Sequence, residues 1–493
     1  MQYDLIVIGG GAGGITAAKW AAKFGAKVAL IDKKPLGGDC LFYGCVPSKS
    51  LIKSAKVAST LRHADRFGLD SVHPTIHWEK VIGRVQSIIE KVATLDNPEN
   101  FRKLGIDVIF GSASFIDDKT INVILNEELK DIQQRDFAYR EGHVKLVAKK
   151  VIIATGSKPA IPQIDGLHAV GYITNEDVFS LKNMSRSLLV VGGGPIACEL
   201  AQAFSRLGSK VTMVVRGNQL LNKEDSDLVE PLLEKFVEEG IEVVFNVEFN
   251  KFEFTQSGNK KLDCLVDGKA REIKAEEVLV ATGRKPCFEG LDLDAAGVTV
   301  NEQGIVVDKR LRTKNKKIFA IGDVNGMYQF THAAGYEAAI AVTNAVVRYP
   351  VKVDYDSIPW TTFTDPEVAH CGLNEIEAKK RGIKYDVWKA DFADVDRALA
   401  ESEESGFIKI LTKGKKAEII GAQIVGAHAG ELIHEFVLAR NNGLTLEKIA
   451  GSVHVYPTLA DIARIAAAPI FDKKYFTPMI KSLLRRLFSY KGR

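Results

Sequence analysis

Two copies of one strand–glycine turn–helix–strand unit constrain this chain more than any other feature. Near the N-terminus, "YDLIVIGGGAGGITAAKWAAKFGAKVALID" reads as a buried strand over residues 3–8, a glycine turn, an alanine-rich helix to about Gly25, and a second strand ending at Asp32. Gly9, Gly11 and Gly14 form G-x-G-x-x-G between strand and helix, with Asp32 23 residues after Gly9. Each position has a physical task. Glycine at 9 permits the tight turn, glycine at 11 lets backbone approach a pyrophosphate, and glycine at 14 lets helix and strand pack closely. The helix N-terminus favours phosphate charge, and Asp32 accepts from a ribose hydroxyl. The fingerprint alone is weak, but here its strand, helix and acid are in register.

"SLLVVGGGPIACELAQAFSRLGSKVTMVVRG" repeats the unit, with Gly192 and Gly194 matching and Ala197 in the third position. Two units imply two dinucleotides. Where an acid would hold a free 2′-hydroxyl, the second unit has Val215 followed by Arg216. Arg216 suits a 2′-phosphate, hence NADPH rather than NADH; a solvated surface arginine is the plainer reading. Two further repeats bracket this unit, "VIIATGSKP" with Thr155 and Gly156, and "VLVATGRKP" with Gly283. They read as the points where the chain crosses between two nucleotide domains. "KIFAIGDVNG" then brings Gly322 and Asp323 to a strand end, beside a cofactor's sugar-like chain.

From about residue 353 the texture changes to alternating strands ("GFIKILTK", "EIIGAQIVGAHAG") with helices at 430–442 and 458–468, a separate α+β domain. The charged run "NEELKDIQQRDFAYREG" reads as a surface excursion without chemistry. At 493 residues the chain is too long for one core. The N-terminus enters a strand at once, and no run of 18 apolar residues occurs, so a cytoplasmic location is expected. The net charge of +4 is concentrated: residues 473–493 carry seven Lys/Arg and no acid, while the remainder is near neutral. A nearly neutral body argues against nucleic-acid binding.

Six cysteines make no disulfide framework. Two of them, Cys40 and Cys45, lie close together in "GGDCLFYGCVPSKS". A zinc site needs a second ligand pair, which is missing, and cytosolic structural disulfides are rare. A redox pair beside a flavin accounts for the context, with Gly37 and Gly38 bringing backbone close to the ring and one helical turn joining Cys40 to Cys45. The remaining cysteines, Cys198, Cys264, Cys287 and Cys371, read as inert thiols.

These motifs together resemble the class I pyridine nucleotide-disulfide oxidoreductases, the flavoenzyme family of glutathione reductase, dihydrolipoyl dehydrogenase and mercuric reductase. The family's G-G-x-C and G-C-x-P-S-K elements match from Gly37 to Lys49, and the resemblance spans roughly residues 1–470. It implies an α/β fold with two Rossmann-like domains, for FAD (1–155 and 285–350) and NAD(P)H (156–284). An α+β dimerisation domain (353–472) and a basic tail (473–493) complete the chain, as a homodimer. By resemblance, Cys45 is the thiolate facing the flavin and Cys40 the interchange thiol that attacks substrate. Lys49 lies near the flavin paired with Glu199, and Asp323 binds the ribityl chain. Gly38, Thr155, Gly156, Gly283 and Gly322 join the cofactor-binding positions. The expected reaction passes hydride from NADPH through FAD to the Cys40–Cys45 disulfide and on to a small disulfide or a metal-thiolate acceptor, as in mercuric reductase. The runner-up is dihydrolipoyl dehydrogenase.

One segment departs from the family. Disulfide reductases carry a His–Glu dyad in H-P-T-x-x-E, whereas this chain reads "HVYPTLAD". Tyr456 takes the histidine's place and Asp461 the glutamate's, with His454 two residues earlier. A tyrosine near pKa 10 is a reluctant proton donor where histidine exchanges at neutral pH. Tyr456 is then a weak acid, a ligand-positioning hydroxyl or an interface residue, and His454 a substitute base. Mercuric reductase also lacks that histidine but carries a C-terminal cysteine pair; no cysteine follows Cys371 here. In the tail, Ile480, Leu483, Leu484 and Leu487 fall at helical spacing opposite Lys481, Arg485 and Arg486. Such a helix either docks on its own dimer or rests on anionic lipid. The second alternative opens a different class, a membrane-peripheral module delivering electrons to a quinone or a partner protein.

Overall fold

The computed structural model describes residues 1–132 and 142–491. Most of the charged run at 126–142 therefore lies outside the described residues, as do positions 492–493 of the tail.

The first glycine unit builds as its apolar runs demand. Strand Gln2–Ile8 is fully covered over its last four residues, and it pairs in parallel with Val28–Asp32 on one side and His143–Ile153 on the other. Ile8 is level with both Ile31 and Ile153, so Gly9, Asp32 and Ala154 leave the sheet at one edge. Ile106–Phe115 extends this sheet beyond Val28–Asp32, and Ile318–Ala320 adds a parallel strand beside His143–Ile153. The latter delivers Gly322 and Asp323 to the same edge. Ligands of open α/β sheets bind outside these carboxyl ends. Helix Ala12–Lys23 starts at the glycine turn, and Thr331–Val342 packs against it, with Ala334 lying close to Gly13.

The second unit forms a parallel sheet in the order Glu277–Val280, Ser187–Val191, Lys210–Val214, Glu242–Val244. Helix Pro195–Leu207 follows its glycine turn. The two A-T-G repeats continue into short strands, Ser157–Pro159 and Arg284–Pro286, which pair antiparallel. Outgoing and returning chain thus cross side by side as one ribbon.

The C-terminal sheet is antiparallel, ordered Trp360–Thr362, Glu367–Gly372, Glu418–Gly426, Phe407–Lys413, Asp386–Asp391. Its two central strands are buried on both faces rather than alternating. One face takes helices such as His434–Asn441 and Asp461–Ala467; the other meets the second nucleotide unit. The helix expected over 430–442 is two short ones, Ala429–Leu432 and His434–Asn441.

Candidate functional site

A cavity of about 990 Å3 opens at the carboxyl ends of the first sheet's strands. Gly9, Gly11, Asp32, Gly38, Thr155 and Gly156 line it, with Asp323 and Arg284 further along. The floor is bare backbone, made so by close approaches. A Cβ on Gly14 would stand 1.8 Å from the Gly9 carbonyl oxygen, so no side chain fits between helix and turn. A Cβ on Gly38 would stand 2.7 Å from Gly11 Cα, and Gly38 has φ +62. Asp32 accepts from the Gly10 and Lys34 amides, which set its carboxylate at the cavity edge. Asp323 accepts from Ser157 Oγ, and burial raises its pKa. A cavity floored by bare backbone and lined by two acceptor carboxylates, Asp32 and Asp323, fits a dinucleotide such as FAD.

The cysteines meet in this cavity, by a route other than the one expected. Cys40 rides on a short helix, Gly38–Phe42, and Cys45 opens the next, Cys45–Arg62. Gly44, between them at φ −124 and ψ −113, breaks the helix. The pair therefore does not share one continuous helical turn; the break itself brings the thiols together. Cys40 donates to Cys45, whose Sγ also lies 3.4 Å from Thr331 Oγ1. Those two donors and the Lys49 charge outweigh burial and hold the Cys45 thiol at about 6. The same bond, together with burial, pushes the Cys40 thiol far up. One turn along, Lys49 Nζ stands 2.7 Å from Glu199 Oε2, and Glu199 Oε1 accepts from the Phe363 amide at 2.9 Å. Lys49 Nζ also sits 4.4 Å from the Phe363 ring centroid. Residues from both glycine units and the C-terminal domain thus converge beside the dithiol.

The second unit reaches the same cavity through Pro195, Ile196, Glu199 and Leu200. Gly192 abuts Ala281, while the space at Gly194 is open. Val215 is buried, and Arg216 is exposed just past the strand end. Gly283 leads into the ribbon and accepts from the Ala160 amide.

Tyr456, His454 and Asp461 do not line this chain's own cavity. Tyr456 is exposed and donates to Asp396 Oδ2 at 2.8 Å, which raises its pKa further. Asp461 is gripped by Arg464 at 2.7 and 3.0 Å, which holds its carboxyl low. His454 Nε2 lies 3.1 Å from Glu435 Oε1. Position 456 and position 461 are therefore not hydrogen-bonded to each other.

Several residues of the cavity escape a reading of motifs. Thr331, at a helix start, touches Cys45. Arg284, the basic residue of the second A-T-G repeat, donates to Ser157 and ion-pairs with Asp39 at 3.1 Å, next to Cys40. Glu337 is buried under Gly322, accepting from its amide, from Asn325 and from Tyr355. Burial lifts its carboxyl to about 7. A lone acid in the alanine-rich "THAAGYEAAIAV" was the signal for it. Of the other cysteines, Cys198, Cys264 and Cys371 are buried, but Cys287 borders the cavity.

Known proteins agree with this geometry. The family described as pyridine nucleotide-disulphide oxidoreductase matches residues 3–338, and its dimerisation domain matches residues 358–467. A mercuric reductase of Staphylococcus aureus is 34% identical over 474 residues, 96% of this chain and 83% of its own. A dihydrolipoyl dehydrogenase of Chlamydia trachomatis is 32% identical over 482 residues, 97% of this chain and 99% of its own. Among solved structures, the Cu(II) complex of the HOCl-induced flavoprotein disulfide reductase RclA from Escherichia coli superposes with a TM-score of 0.82. It is 24% identical and covers 95% of this chain and 100% of its own, a likeness of fold. The chain belongs to the pyridine nucleotide-disulphide oxidoreductases, flavoenzymes that bind FAD and a pyridine nucleotide, and carries the dimerisation domain of their homodimers.

Proposed function

We propose that the protein is an NADPH-dependent reductase, working in the cytoplasm, whose Cys40–Cys45 pair reduces acceptors with good leaving groups: disulfides of acidic thiols, or soft metal ions held by thiolates. The observation that carries this is the pair of free thiols itself, hydrogen-bonded to each other in the cavity, one held low and the other high. FAD, when bound, supplies the route for reducing equivalents from the nicotinamide to the Cys40–Cys45 disulfide. Lys49 and Glu199 fix a cation and its counter-charge beside that route. Arg216, exposed at the end of its strand, supports a 2′-phosphate and hence NADPH.

The thiol steps follow from the hydrogen bond. The Cys45 thiolate acts as base: the Cys40 proton passes to it as Cys40 attacks one sulfur of the acceptor disulfide. The acceptor's S–S bond breaks, Cys40 forms a mixed disulfide, and one thiolate leaves. Cys45, its proton lost to water, then attacks Cys40 Sγ, displaces the second thiolate and closes Cys40–Cys45. Two electrons have passed to the acceptor. Each departing thiolate of high pKa needs a proton, and Tyr456, bound to Asp396 with its pKa raised, is poorly suited to give one. General acid catalysis contributes roughly 10²–10⁴ in rate, so this loss selects for leaving groups that need no proton.

The test is an acceptor panel with NADPH and with NADH. Turnover is expected to favour an aromatic disulfide such as dithiobis(nitrobenzoate), or Hg(II) in excess thiol, over glutathione disulfide by about 10² or more. Equal rates with glutathione disulfide or lipoamide would refute the acceptor class and favour dihydrolipoyl dehydrogenase. A preference for NADH that Arg216→Ala leaves unchanged would refute the role of Arg216.

A further inference from the structure

The last described helix, Pro478–Phe488, buries none of its residues. Thr477 caps its start by accepting from Ile480, and Pro478 sits at the first position, so the helix is locally well specified. At 100° per residue its two halves separate cleanly. Met479, Ile480, Leu483, Leu484, Leu487 and Phe488 occupy one half; Lys481, Ser482, Arg485 and Arg486 occupy the other. The apolar half faces solvent, with Leu483 54%, Leu487 63% and Phe488 60% exposed. Aromatic residues flank it at both ends, Tyr475 and Phe476 before, Tyr490 after, all exposed. Tyr475 and Lys474 hold the start of this segment to the body through Glu447.

We propose that this helix lies on an anionic lipid surface, apolar half down, and tethers the enzyme there. Charge decides between lipid and a second copy of the chain. A helix docked on protein normally shows solvent a mixture of both signs, whereas residues 473–491 carry six Lys/Arg and no acid at all. Among the described residues, Lys481, Arg485, Arg486 and Lys491 make no ion pair, so their charge is free for phosphate headgroups. Aromatic rings at both ends suit the headgroup level, where an amphipathic ring is partly dry and partly wet. Among the described residues no helix is long and apolar enough to cross a membrane, so contact of this kind is peripheral.

The experiment is co-sedimentation of the FAD-loaded full chain with vesicles of equal parts phosphatidylglycerol and phosphatidylcholine, and with phosphatidylcholine alone. Two variants accompany it, Leu483→Glu/Leu487→Glu and Arg485→Glu/Arg486→Glu, with the dimer followed by sedimentation velocity. The native chain is expected to pellet with the anionic vesicles and not with phosphatidylcholine alone. Each variant should bind at least about tenfold more weakly while remaining dimeric and flavin-loaded. The proposal is overturned if the native chain stays in solution or if the variants pellet like it. It is equally overturned if the leucine variant dissociates the dimer, which would assign the helix to a second copy.

Discussion

At the scale of single residues the dithiol is asymmetric, and the asymmetry can be titrated. Cys45 receives hydrogen bonds from Cys40 and Thr331 and feels the charge of Lys49, so its thiolate exists near neutrality; Cys40 gives its proton to that bond and keeps it to high pH. In enzyme reduced under anaerobic conditions, iodoacetamide alkylation should rise with pH through a midpoint at about 6. Cys45→Ser should remove that step, and Cys40→Ala, which deletes the main donor, should move it upward. A first step near 9 in the native enzyme, as for an ordinary thiol, would contradict the hydrogen-bond order. That the two cysteines come together was readable from their spacing and their glycines. That Cys45 is the acidic one came from the family resemblance alone, because the hydroxyl that helps to set it, Thr331, approaches from 286 residues away.

At the scale of elements, the glycine turns are where sequence and structure agree most directly, since a missing side chain has a single geometric meaning. Gly11 and Gly38 let two turns touch backbone to backbone beneath the cofactor groove. Gly38→Ala should therefore push the cysteine helix off the first glycine turn. The expected result is substoichiometric FAD, read as the ratio of flavin to protein absorbance, and a stability loss of about 1–3 kcal/mol from overpacking. An Ala variant with full flavin and unchanged melting would mean that the two turns do not need to meet. The helix break at Gly44 was harder to foresee. Four residues lie between the two cysteines, none of them proline, which suits a helical turn as well as a break, and local spacing does not distinguish them. The long C-terminal strands misled for a related reason: their near-continuous apolar runs record burial on both faces, and the second face is supplied by residues far away in sequence.

At the scale of the molecule, that second face is held by charge. Lys409, only 2% exposed, projects from the C-terminal sheet to Asp225 at 2.8 Å, Asp227 at 2.7 Å and Glu375 at 3.3 Å. Beside it His370 stacks on Trp360 and lies between Glu224 Oε2 at 2.7 Å and the Gly372 carbonyl at 2.9 Å. Burial alone would lower the His370 pKa, but Glu224 and these hydrogen bonds raise it. A raised folded-state pKa contributes stability that is complete below the unfolded value of about 6.5 and is lost as pH climbs through the folded one. Trp360 also donates to Glu224 and borders the cavity, so this charged seam ties the second glycine unit and the dimerisation domain to that cavity. Nothing local in "GFIKILTK" marks Lys409 as buried; an amphipathic strand would turn it to water. Lys409→Met keeps the length of the side chain but leaves Asp225, itself buried, without its cation. Removing one partner of a buried ion pair costs about 3–5 kcal/mol, where an exposed lysine would cost about 1 kcal/mol or less. Calorimetry should show the melting temperature fall by several degrees. Lys409→Met/Asp225→Asn/Asp227→Asn should recover much of the loss, because the stranded charges go with the lysine. If the single variant melts like the native protein, the seam is wet, and the two domains are joined by apolar packing alone.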